Sequence, residues 1–328
     1  MTLRPVGSSL SVSPARAQQL EQLDVPDLSS QVLSWRDTFQ ASTSAAVTVP
    51  AVAQASETTA VPSEASLRVA TEAVLLAIES NRDAGVGTMS QVALDTAIAQ
   101  FSAMPEFQNA DGTIDHARVM DYAIACCANV FTGQDAVLSG MDRIPGSSGS
   151  FRAILDSMPQ LDGSMIHGGD VAGWRASLDA TNGSTLRADL DDGSGGQARH
   201  TWVFIAMGYA APANALSQTA LFAGNWAHEY LDGGGTRQDF AASIGGGALG
   251  MSLRFLRDQI ATQPETYDVE MVANVGSVVN AFFTGEGHPA GNTIYDEAMV
   301  MVRNIPAYWD AWRGLPWADT GRSSTLEP

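Results

Sequence analysis

The sequence predicts a mainly α protein: a single helical domain behind an N-terminal segment of different composition. Three observations carry that prediction. Apolar residues recur at three- and four-residue spacing through much of the chain after residue 65. No stretch alternates apolar and polar residues with the period of two that a half-buried strand requires. Ser, Thr and Asp stand ahead of the periodic runs, where helix caps belong. The chain has 328 residues, of which 45% are hydrophobic, enough to bury a large core, and it shows no internal repeat.

Residues 1–14 are rich in Ser, Pro and Gly and are expected to be disordered. Across 15–39, Leu20, Leu23, Val25, Leu28, Val32, Leu33 and Trp35 recur at mixed three- and four-residue spacing, a short helix that Pro26 interrupts. Residues 41–64 are low in charge, rich in Ala, Ser, Thr, Val and Pro, and without helical period, which is a linker composition. The expected division is therefore 1–64 as a disordered or linking segment and 65–328 as the helical domain. A head of this kind suits a delivery region, and equally an ordinary floppy terminus.

The body opens with an amphipathic helix over 66–82, with Leu67, Val69, Ala70, Val74, Leu75 and Ile78 on one side and Ser63 or Ser66 as its cap. Helices follow over 89–104 and 115–131. Between them, Asn109, Asp111, Gly112, Ile114 and Asp115 fall at the offsets of a calcium-binding loop. Phe107 and Arg118 stand at its first and twelfth ligand positions, however, so a turn with Asp115 capping the next helix is the simpler reading. Residues 133–198 are rich in Gly, Ser and Asp, with short helices expected at 151–158 and 171–178. Asp189, Asp191 and Asp192 share a glycine loop there, a solvated acidic turn or a chelating one. Three helices are expected next, at 197–209, 214–231 and 237–257, the last continuing through 255–260, and then two more at 267–285 and 292–305. Tyr308, Trp309, Trp312 and Trp317 would staple the C-terminus onto the core.

Charge narrows the function classes. A net charge of −19 speaks against nucleic acid, whose phosphates nothing here would neutralise, and against an anionic membrane surface. No run of 18 apolar residues exists, so no stable membrane span is expected, and residues 1–20 lack the apolar core of a secretory signal. All 17 basic residues are Arg; the chain contains no Lys. Codon bias would account for that, and so would selection against amines in a protein delivered into a eukaryotic cell, where Lys receives ubiquitin and acetyl groups. Cys126 and Cys127 are neighbours in a helix, about 100° apart, and read as two buried thiols.

The polar residues of 193–251 suggest chemistry. His228 and Asp232 are four apart and share a helix face, with Asn225 one turn earlier and Glu229 rotated by about 100°. The run His-Glu-Tyr-Leu-Asp compares with the zinc motif H-E-x-x-H, with Asp232 in place of the second His. His200, beside Arg199, would supply the missing imidazole, so that His200, His228 and Asp232 hold a divalent metal such as zinc and Glu229 serves as base. Without a metal, His228 is a general acid/base oriented by Asp232. A third alternative makes His228 and Asp232 a helix pair and His200 a core residue. Asp239 closes a capping box with Thr236, and Gln238 beside it faces the same region. Gly245, Gly246, Gly247 and Gly250 each cost up to ~1 kcal/mol within a helix, which predicts close approach to a neighbouring helix.

Arg199-His200, then Ala227-His228-Glu229, then Asp239 with Gly246 and Gly250 resembles, over about 60 residues, an uncharacterised helical domain of bacterial toxins and effectors. Ser243 or Gly245 stands where that family usually shows Asn. The resemblance implies an effector or virulence context and hydrolysis. The expected function is that of a secreted or translocated effector or toxin, otherwise cytoplasmic. Its hydrolase site would be built from His200, His228, Glu229 and Asp232, with Arg199, Asn225, Gln238 and Asp239 binding substrate. The alternative is a non-enzymatic effector or structural protein that works by binding other proteins. A host protein, or a secretion chaperone at the N-terminal segment, is the expected partner.

Overall fold

Ser63 sets the start of the first helix, its hydroxyl accepting from the Ser66 amide at 3.1 Å. The structure, a computed structural model, describes residues 61–286 except 143, 145, 167–168, 181–184, 194–195, 212–235, 264–271 and 273. Helix α1 is Glu64–Ser80, followed by a 3₁₀ turn at Arg82–Ala84 and by α2, Gly85–Ser102. Asp115 caps α3 (His116–Thr132) by accepting from the Arg118 amide. Helices α4 (Gln134–Met141), α5 (Gly149–Ser157) and α6 (Val171–Ala180) are short. Long elements return with α7 (Gln197–Ala210) and α8 (Arg237–Thr262), and α9 is Val275–Thr284. Of the described residues 74% are helical and none forms a strand, so the fold is mainly α as the periodicity predicts.

Helix α3 is the axis of the core. Every residue from Val119 to Thr132 is buried, so this helix is enclosed on all sides. It touches α1, α2, α4, α5, α7 and α8. Phe131 stacks on Trp202 of α7 with ring centres 5.2 Å apart, and the Trp202 indole donates to Ser90 of α2 at 3.0 Å. One contiguous apolar cluster draws residues from all nine described helices. Cys126 and Cys127 are free thiols inside it; burial pushes Cys126 up to about 12 against the opposing hydrogen bond from Thr71, and pushes Cys127 up as well. Thiolate chemistry at neutral pH is thereby closed to both.

Glycine shapes two helix contacts. A Cβ at Gly208 would overlap the Gly247 carbonyl, one at Gly250 the Ile205 carbonyl, and one at Gly246 would come 2.9 Å from the Thr201 carbonyl. Helices α7 and α8 therefore meet backbone to backbone, the close approach that the glycines of 245–250 predict. The pairs run in step, from Gln197 with Asp239 to Tyr209 with Gly250, so α7 and α8 lie parallel, as the first and third of three successive antiparallel helices would. Gly87 similarly admits Asn280 and Thr284 of α9. That contact explains why α2 starts at Gly85, where the sequence suggests only a loop. Tertiary contact outweighs the helix cost of a glycine.

The 107–118 loop closes on itself. Thr113 donates from its amide (2.9 Å) and hydroxyl (2.6 Å) to Asp111, holding that carboxyl below its usual range. Helix α4 has no counterpart in the sequence reading, and α8 extends to Thr262. The helices expected at 15–39, 214–231 and 292–305, and the aromatic tail, lie outside the described residues. Of 267–285 the structure describes a helix at Val275–Thr284.

Candidate functional site

The first turns of α7 and α8 lie side by side and border a cleft of about 300 Å³. Its described lining includes Gly196, Gln197, Arg199, His200 and Val203 from the α7 end and Asp239 from α8, with Ala136 of α4 opposite. The sequence makes Gly196 the entry to α7: at φ +106 it adopts a left-handed conformation that an L side chain rarely takes, and no side chain caps the helix it starts. The first-turn amides of α7 therefore carry the positive end of the helix dipole with no capping oxygen from Gly196.

Gln197 links the two helices. Only 2% of this residue is exposed, and its Nε2 donates to Asp239 Oδ1 at 2.6 Å. Since a carboxylate only accepts, the amide orientation is fixed by its partner, and Gln197 Oε1 is left buried without a hydrogen bond. Asp239 is already engaged: its Oδ2 accepts from the Thr236 amide (2.8 Å) and hydroxyl (2.9 Å), while the Asp239 amide donates to Thr236 Oγ1 at 3.0 Å. That is the capping box the sequence predicts, and Asp239 carries it while also lining the cleft.

His200 is half-buried, its ring edge set against Phe204 at 4.9 Å between centres. Arg199 is exposed beside it. Arg175 of α6 adds a second cation nearby, donating to the Asn129 carbonyl at 3.1 Å near the end of α3. Burial, and then repulsion from Arg199, pulls the Arg175 guanidinium below its usual range. Arg199 and Arg175 thus bring two guanidinium groups, with the α7 N-terminus and the Asp239 carboxylate, to this end of the α7–α8 pair.

Of the residues singled out from sequence, Arg199, His200 and Asp239 come together along this cleft. Gln238, adjacent to Asp239, is half-buried and does not line it. Asn225, His228, Glu229 and Asp232 lie outside the described residues. Among the described residues no three His, Cys, Asp or Glu side chains are grouped to hold a metal ion. Comparison with protein-family models, curated proteins and solved structures finds no match. Gln197 is the residue the sequence reading passes over. Its spacing three before His200 puts both on one face of α7 and was the available signal.

A second polar cluster sits deeper, where α3, α7 and α8 meet. Tyr209 donates to Asp121 Oδ1 at 2.8 Å, and Arg257 reaches both oxygens of Asp121, at 2.8 Å from Nη2 to Oδ2 and 3.1 Å from Nε to Oδ1. Burial and the facing carboxylate push the Tyr209 phenol well up. The cluster ties three helices together, with Asp121 10% and Arg257 25% exposed.

Proposed function

We propose that the chain is a delivered bacterial effector or toxin whose helical domain hydrolyses a small polar substrate at the α7–α8 cleft. The observation that supports this reading most is the convergence of Arg199, His200 and Asp239 on one opening, with the buried Gln197 amide between the two helices. Arg199 and His200 bind and polarise the substrate, and the positive helix ends favour the oxyanion that forms as water attacks. Glu229 takes the proton of that water, and His228, oriented by Asp232, protonates the leaving group. If the site takes a divalent metal such as zinc, His200, His228 and Asp232 are the residues that would hold it. The ion's chemistry there would be to acidify a water molecule.

The test is turnover of the full chain on a panel of nitrophenyl esters, nitrophenyl phosphates and short peptides, with metal content measured in parallel. His200→Ala, His228→Ala and Glu229→Ala should each lower the rate about 10²–10⁴-fold while leaving the thermal midpoint within a few degrees. Equal rates for all three variants and the parent would remove the hydrolytic site.

One observation favours a second reading. Both Asp239 oxygens accept hydrogen bonds within the α7–α8 pair, as a purely structural clamp would require. The effector would then act by docking on a host protein. His200→Ala and His228→Ala would lower stability, with no turnover on any substrate of the panel to lose.

A further inference from the structure

Helix α1 carries two apolar stripes. The inner one, Leu67, Ala70, Val74, Leu75 and Ile78, is buried. The outer one steps through Ala65, Val69, Ala73 and Leu76 at spacings of four, four and three, faces away from the core, and is interrupted by exposed Glu72, which pairs with Arg68. The large exposed hydrophobics among the described residues are Val61 at 72%, Val69 at 58% and Leu76 at 68%, all on or just before this helix. Beside Val69 the surface opens into a groove of about 590 Å³ between the start of α1 and the end of α2, with Ala103, Met104 and Pro105 as its far wall. An exposed apolar strip, broken by Glu72 alone, beside an apolar-walled groove is the form in which a surface receives an amphipathic segment, through anchors at three- and four-residue spacing.

We infer that the occupant is this chain's own residues 20–35. The described structure begins at residue 61, four residues before Ala65 of the groove's lining, so the preceding chain is tethered beside the groove. Within residues 1–60, the apolar repeat is the run Leu20, Leu23, Val25, Leu28, Val32, Leu33 and Trp35, interrupted at Pro26. The 25 residues from 36 to 60 separate that run from the groove. A chain of this length and composition has a root-mean-square reach of about 28 Å, which covers the whole face and gives an effective concentration on the order of mM. A second copy of the chain would have to compete against that local concentration. Glu106 is the single charged residue in the groove's described lining, so apolar burial rather than ion pairing selects the occupant.

Trypsin reads the contact directly, because the chain has no Lys and is cut only at Arg. In the intact protein, cleavage after Arg36, at the edge of the docked run, should be at least ten-fold slower than after Arg16, which precedes the run and is followed by Ala17. Val69→Asp and Leu76→Asp, both at exposed positions and checked by thermal melting, should erase that difference. Leu28→Cys with Val69→Cys, treated with a short bis-maleimide, should give an intrachain cross-link, since both native thiols are buried. Equal cleavage rates at Arg36 in the parent and Val69→Asp, together with no intrachain cross-link, would overturn the inference. So would a concentration-dependent dimer that Val69→Asp abolishes while protection at Arg36 stays as in the parent.

Discussion

Asp121 shows what a single buried charge demands in this fold. Its side chain is only 10% exposed, and it is held by the Arg257 guanidinium and the Tyr209 hydroxyl. Removing one partner of such a pair leaves the other charge desolvated and unpaired, whereas removing both charges relieves much of that penalty. Arg257→Met should therefore destabilise by about 3 kcal/mol in urea unfolding, and Asp121→Asn added to it should recover part of the loss. If the double variant were as unstable as the sum of the singles, Asp121 would not be the reason Arg257 matters. The sequence offers no route to this pair, because 136 residues separate the partners and both sit in helical runs that read as ordinary amphipathic pattern. Arg199, His200 and Asp239 stand out in the sequence for the opposite reason: Arg199 and His200 are adjacent, and Asp239 falls three after Thr236 in a capping box. Gln197 escaped because a neutral amide attracts no attention until its burial is known.

At the scale of helices, the parallel α7–α8 pair is the feature that positions the cleft. Its backbone contact at Gly208, Gly246, Gly247 and Gly250 was foreshadowed by the cost of so many glycines in one helix. Its direction follows if a helix at 214–231 runs antiparallel to both, as the succession of three helices in the sequence implies. Parallel packing puts both N-termini at one end, and that alone brings the first-turn residues of two separate helices to one opening. The contact has no slack: a Cβ at Gly250 meets the Ile205 carbonyl and, at 2.8 Å, the Tyr209 amide, all of it backbone. Gly250→Ala should cost about 3 kcal/mol, the upper part of the usual range for overpacking, because backbone cannot rotate aside as a side chain can. Gly149, which opens α5 with nothing within 4 Å of where a methyl would stand, is the control; Gly149→Ala should change stability by less than about 1 kcal/mol, in the favourable direction. Equal losses at the two positions, measured by denaturant titration, would mean that glycine acts here through the unfolded chain and not through helix contact.

For the molecule as a whole, the lack of Lys is the property that separates the delivery reading from ordinary codon bias, because only the first predicts a penalty for restoring an amine. Arg237 is the place to ask. It is exposed, it is the first residue of α8, and Lys would keep the charge and nearly the same helix propensity there. The folded protein should be indifferent to Arg237→Lys in thermal melting. In a eukaryotic lysate competent for ubiquitin transfer, the variant should decay measurably faster than the parent, and a proteasome inhibitor should remove the difference. The comparison isolates the amine, since charge, fold and net balance of −19 are unchanged by the substitution. Equal half-lives with and without inhibitor would leave the arginine bias as a property of the coding sequence. The cleft at α7 and α8 would then have to make the case for function alone.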